Sequence, residues 1–138
     1  MSDRSAYAIL DDIAAILHPR PEPPGDVRIP AVAEYYTALL QDVSARREKL
    51  IADLRVAWDR GGVDPLLAAL EESRARREAA ENDIRKLLAY AREFVAPRPY
   101  TLKALAEASG LSFSGVRTAY GEEHVEAAAE ATGSRPRG

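Results

Sequence analysis

The side chains able to do chemistry in this sequence are few, and most of them point away from catalysis. His18 sits beside a proline-rich stretch, and His124 stands in the run Glu122, Glu123, His124, Val125, Glu126. A metal-binding helix of the HExxH kind needs two histidines one turn apart with a glutamate beside the first. The run EEHVE does not have that order. The chain has no cysteine, which excludes disulfides, thiolate metal sites and thiol nucleophiles. Acidic neighbours such as Asp11 with Asp12 and Glu71 with Glu72 are adjacent, and adjacent residues on a helix do not face one another. No glycine-rich phosphate loop or G-x-S-x-G elbow occurs. These observations predict no enzyme activity, no catalytic residue, no metal and no cofactor. What remains is a concentration of hydrogen-bonding groups in residues 101–121, TLKALAEASGLSFSGVRTAYG. The hydroxyls of Ser112, Ser114 and Thr118 and the forked donors of the Arg117 guanidinium fall close together there, with Phe113 among them.

Two short helices are needed to position these groups. Pro97 and Pro99 break whatever helix precedes them, and Thr101 is a good cap for a new one over Leu102 to Ala108. The turn falls on Ser109 to Ser112. Gly110 can take the left-handed conformation there without a Cβ penalty. Ser112 can cap a second helix from Phe113 to Tyr120, ended by Gly121, and a last helix is predicted from Glu122 to Ala131. Residues 133–138, GSRPRG, read as a disordered tail whose Arg135 and Arg137 would add a nonspecific phosphate contact.

The rest of the chain reads as a support. Ile9, Leu10, Ile13, Ile16 and Leu17 form one apolar stripe on a short helix within residues 1–18, too short to stand alone. Residues 19–29 are a Pro-rich linker. Residues 30–96 predict two long helices, the first opened by Pro30 and stopped by Gly61 and Gly62, the second opened by Asp64 and Pro65. On the second, Leu66, Leu70, Ser73, Arg77, Ala80, Ile84, Leu87, Ala91 and Phe94 recur in steps of four and three. That is a heptad seam with a polar middle, either a solvated stretch whose Arg stems cover apolar neighbours or one that sets pairing register or receives a partner. The short connection makes the two helices an antiparallel, coiled-coil-like hairpin. Two thin helices bury little surface, so a homodimer is expected to cover their apolar edges. The alternative is that the first helix completes a three-helix bundle within one chain.

Residues 101–121, within a module expected over residues 97–132, resemble the helix-turn-helix DNA-binding family. The family pattern is a small residue in the first helix, glycine at the turn and an aliphatic residue in the second. Ala106, Gly110 and Val116 fall at those spacings, and Leu105, Leu111 and Ala119 at the accompanying buried positions. The resemblance implies that the second helix enters the major groove of double-stranded DNA with its N-terminal residues at base edges. The groove-facing residues it implies are Ser112, Phe113, Ser114, Arg117 and Thr118. Arg117 would donate bidentately to guanine and Phe113 would meet a thymine methyl. Lys103, Arg98 and the amides at the two helix starts would hold the phosphate backbone. The alternative for Phe113 is packing on the long hairpin. Gly115 costs ~1 kcal/mol relative to alanine in a helix, which either close approach to DNA or tolerated local strain would explain.

Charge is the feature that fits this reading least. The net charge is −3. From Pro97 onward, Arg98, Lys103, Arg117, Arg135 and Arg137 are balanced by Glu107, Glu122, Glu123, Glu126 and Glu130. A DNA binder usually shows a basic patch, so the cations are expected on one face, doubled by a dimer. No apolar run approaches the ~18–20 residues of a membrane span, and Asp11 and Asp12 do not suit a signal peptide. The expectation is thus an all-α cytoplasmic protein, a long hairpin carrying a C-terminal helix-turn-helix module. Its expected function is that of a homodimeric, sequence-specific transcriptional regulator, with a partition or phage-type repressor role fitting equally. The alternative is a helical adaptor whose hairpin binds a protein partner.

Overall fold

The computed structural model describes residues 7–137. Its described residues form six α-helices and no strand: α1 (Ala8–Leu17), α2 (Pro30–Gly61), α3 (Pro65–Glu93), α4 (Leu102–Ser109), α5 (Phe113–Thr118) and α6 (Glu122–Thr132). The part of the first predicted helix that precedes Tyr7 lies outside the described residues. No helix among them is long and apolar enough to cross a membrane. The chain divides into two compact units, Met1–Ser73 and Arg74–Gly138, and the division falls inside α3.

In the first unit the breaks between helices sit where the backbone chemistry demands them. Pro30 opens α2, where its missing amide costs no hydrogen bond. Gly62 closes α2 at φ 65°, donating to the carbonyl of Trp58, while Val63 donates to Ala57 at 3.3 Å. This paired closure satisfies carbonyls that a helix end otherwise leaves open. The Asp64 carboxylate then accepts from the amide of Leu67 at 2.9 Å and starts α3.

The core of this unit forms around α1. Leu10 and Ile13 are buried with Leu54 of α2 and Ala69 of α3, and Ile9, Leu17, Leu50, Ile51 and Trp58 pack around them. Each of these large side chains contributes roughly 1.5–3 kcal/mol by leaving water. The residues after α1 follow α2 toward its start. The Tyr7 hydroxyl donates to Asp59 at 3.2 Å, the Arg47 Nε donates to the His18 carbonyl at 2.8 Å, and the Tyr36 hydroxyl donates to the Pro21 carbonyl at 3.1 Å. Residues 7–21 therefore run antiparallel to α2. The Pro-rich stretch is tied down near its start, because prolines leave their carbonyls free to accept.

In the first unit the large residues of the predicted seam on α3 do not supply the core. Ala69 is buried at 8% exposure, whereas the seam residues Leu66 and Leu70 remain 45% and 59% exposed. Leu66 and Leu70 lie instead at the edge of a groove that they share with Ile13, Ile16 and Leu17 of α1. The polar middles of α2 and α3 carry same-helix ion pairs, among them Arg46 with Asp42 at 2.9 Å, Lys49 with Asp53 at 2.8 Å and Arg74 with Glu78 at 3.1 Å. All are exposed, where solvent screening leaves such pairs little weight in stability.

The second unit is built from the later turns of α3 together with α4, α5 and α6. Leu88 of α3 shares a core with Ala106 of α4, Val116 of α5 and Ala119 just after it. Ala89 and Ala91 are buried beside Leu88, and Tyr90 stacks on Phe94 with centroids 5.5 Å apart. The packing places the later turns of α3 in the C-terminal unit. A helix pair as short as α4 and α5 cannot bury enough surface without a third wall. After α6, Arg137 donates through its backbone amide to the Glu93 carbonyl at 2.6 Å and through its guanidinium to the Arg92 carbonyl at 3.0 Å.

Candidate nucleic-acid interface

The stretch of interest is held by three polar caps and one apolar anchor. The Thr101 hydroxyl accepts from the amide of Ala104 at 3.1 Å and fixes the start of α4. Gly110 ends α4 at φ 76°, in the left-handed region that other residues enter at a cost of about 1–2 kcal/mol. The Ser109 hydroxyl accepts from Leu111 at 3.3 Å across the turn, and the Ser112 hydroxyl accepts from Gly115 at 2.9 Å to start α5. Val116, fully buried, anchors α5 against Leu88 and Ala106.

This anchoring decides which side chains of α5 face outward. Ser112, Phe113, Ser114, Arg117 and Thr118 are all exposed, as are Lys103 on α4 and Arg98 before it. Phe113 is 54% exposed, so it does not pack into a core. Among the described residues Arg117 makes no ion pair. The hydroxyls are less available. Ser112 is occupied as a cap, lies 3.3 Å from the Ser114 hydroxyl, and Thr118 donates back to the Ser114 carbonyl at 3.0 Å. The free contact groups on this face are therefore chiefly Arg117 and Phe113.

Two sequence expectations need correction here. Leu111, expected to be buried, is 39% exposed. It lies over Gly115 instead of entering the core, because the turn directs it toward the first turn of α5. Gly115 itself has a local explanation. A Cβ built on it would stand 3.0 Å from the Ser112 oxygen and 3.3 Å from the Leu111 Cβ. The glycine thus makes room for the cap and for Leu111, and neither DNA approach nor idle strain is needed to account for it.

Some positioning residues carry no local sequence signal. The Arg85 guanidinium of α3 donates to the carbonyl of Ala119, satisfying the end of α5 from a residue far away in the chain. Beside it lies a cleft of about 550 Å³ between α3 and the α4–α5 turn, lined by Glu81, Ile84, Arg85, Leu111 and Gly115 among others. The Tyr120 hydroxyl donates to Glu93 at 2.9 Å and ties the chain after α5 to the end of α3.

Burial and the neighbouring Glu93 carboxylate push the Tyr120 hydroxyl above its ordinary value of 10.0, since both disfavour a phenolate there. A pKa raised on folding gives stability that is complete below the unfolded value and is lost as pH rises through the folded one. The wild-type melting temperature should therefore fall as pH climbs past about 10, and Tyr120→Phe should flatten that part of the profile. An equal alkaline decline in both proteins would remove Tyr120 as its cause.

The acidic residues after α5 have a structural role. Glu122 and Glu123 stand in the first turn of α6, where carboxylates complement the positive end of the helix. His124 is likewise engaged, its Nδ1 accepting from the amide of Gly121 at 3.0 Å. Because Gly121 has no side chain to answer, this is one half of a capping box. No group of three or more His, Asp or Glu among the described residues is placed to hold a metal.

No family model matches the sequence, and neither a curated protein nor a solved structure matches the chain.

Proposed function

We propose that this chain is a sequence-specific DNA-binding protein of the helix-turn-helix kind, acting as a homodimeric transcriptional regulator. In this reading α4 and α5 are the two helices of the motif, α5 enters the major groove, and α2 with α3 forms the antiparallel hairpin that holds the motif and pairs it with a second copy. The observation that carries the reading is the outward face of α5. A short helix anchored by a fully buried Val116 leaves a 54% exposed phenyl ring beside an unpaired guanidinium. Exposing a large aromatic next to Arg117 gives no folding benefit, and it suits a surface that meets base edges. Lys103 and Arg98 supply backbone contacts in this reading, and two copies would set their reading helices ~34 Å or a multiple apart.

The test is binding to mixed-sequence DNA across a salt series, followed by selection from genomic fragments and sequencing. Affinity should fall steeply with salt as counterions are released. At the selected site Arg117→Ala should cost about 1–3 kcal/mol while leaving the helical content unchanged. Unchanged affinity of Arg117→Ala at its best site would remove Arg117 as the reader.

A second reading is an adaptor protein whose long helices bind another protein. The outward Leu66 and Leu70 favour it, together with a net charge of −3. It predicts no DNA affinity at any salt concentration.

A further inference from the structure

The stripe on α3 that the sequence marks as a seam keeps exposed apolar surface, although Leu70 edges a groove with Ile16 and Leu17 of α1 and Leu87 edges one with Leu105 and Ala108 of α4. Leu70 is 59% exposed, Ile84 37% and Leu87 66%. Helical periodicity places Leu70, Ser73, Arg77, Ala80, Ile84 and Leu87 on one line of this helix, with Arg74 and Glu81 flanking it on one side and Arg76 and Asp83 on the other. We propose that this face of α3 binds α3 of a second copy in antiparallel orientation, with Leu70 against Leu87 of the second copy and Arg77 against its Ala80. The proposal rests on the homodimer reading above and adds the face, the direction and the register.

Charge selects that arrangement over its neighbours. In the proposed register the seam layers pair Leu70 with Leu87, Ser73 with Ile84 and Arg77 with Ala80, each twice by symmetry. In an antiparallel pair the flanking residues meet their own kind across the seam. Arg74 then faces Glu81 of the second copy and Arg76 faces its Asp83, so all flanking contacts are attractive. Sliding one heptad in one direction sets Glu81 against Glu81 and Asp83 against Asp83. Sliding one heptad in the other sets Arg74 against Arg74 and Arg76 against Arg76. A parallel, in-register pair places Arg77 against Arg77 within the seam. Of these alignments only the proposed one seats Leu70 on Leu87 with opposite charges at the flanking contacts, and Ala80 leaves room for the Arg77 stem to lie across it.

The experiment uses the full chain and two charge-reversed versions, Arg74→Glu with Arg76→Glu, and Glu81→Arg with Asp83→Arg. Each reversed chain places like charges at every flanking contact of its own homodimer, whereas an equimolar mixture restores opposite charges at all of them. By sedimentation the wild type should be a dimer, each reversed chain should have half that mass at the same concentration, and the mixture should recover the dimer. Reversed chains that remain dimeric would overturn the α3 pairing and leave the homodimer reading intact. A wild type that is monomeric throughout would overturn both, without touching the DNA-binding test. Because the chain lacks cysteine, Leu70→Cys and Leu87→Cys give a second readout that does not depend on charge. A disulfide forming only when the two variants are mixed supports the antiparallel pair, and Leu70→Cys linking to itself overturns it.

Discussion

Replacing Val116 by Asp should abolish the folded α4–α5 pair and, with it, any DNA affinity the chain has. Val116 has no exposed surface and is surrounded by Leu88, Ala106 and Ala119, so the carboxylate would meet no partner. Burying an unpaired charge costs several kcal/mol, a large share of the ~5–15 kcal/mol that holds a domain together. Val116→Ala removes volume only and should cost about 2 kcal/mol, leaving a folded, weaker protein. The two are separated further by pH. Burial raises the pKa of the new Asp above its unfolded value, so the cost falls as the medium becomes acidic enough to protonate it. The Val116→Asp chain should therefore regain helicity from about pH 8 toward pH 4, a trend Val116→Ala should not share. Circular dichroism melts across that range test both. A Val116→Asp chain that melts with the wild type would show that Val116 is not enclosed. The contrast with Arg117→Ala matters for function: one should lose binding with the fold, the other with the fold intact.

Leu10→Ala should produce the largest loss in the first unit, about 2–5 kcal/mol. Leu10 is 1% exposed and packs with Ile13, Leu54 and Ala69. Truncating it leaves a cavity where α1 meets α2 and α3. For a unit of this size each kcal/mol moves the melting temperature by roughly 4–8 °C, so a drop on the order of 10 °C or more is expected. Trp58 reports it directly, being the only tryptophan in the chain and packing on that cluster. Tyr7 sits edge-on to it with centroids 5.8 Å apart, and Arg55 lies over the Tyr7 ring at 4.2 Å. The Trp58 emission should shift toward that of solvated indole in a Leu10→Ala chain at temperatures the wild type withstands. Unchanged emission through the wild-type transition would mean α1 is dispensable to this core.

Thr101, Gly110, Ser112, Gly62 and Asp64 were legible as caps and stops because each acts on backbone groups within a few residues of itself. The helix-turn-helix resemblance marks Val116 as the inward aliphatic position, and Val116 is buried, whereas it leaves Phe113 either outward or packed on the hairpin. The exposure of Leu111 is not legible in the sequence, because it depends on where the turn aims the side chain, which spacing alone does not specify. Gly115 was open to two explanations until the cap oxygen and the Leu111 Cβ were placed beside it.

The sequence by itself determined the all-helical class, the breaks at the prolines and glycines, and the two capped short helices that present Ser112 to Thr118. Those follow from local backbone chemistry and from apolar periodicity. Only the tertiary structure decided that α1 fills the first core, that Ala69 in place of Leu66 or Leu70 faces it, and that Leu88 and Arg85 support α5 from a distant part of the chain. These choices depend on which surfaces meet, and a periodic stripe names the side of a helix that is apolar without naming what will cover it.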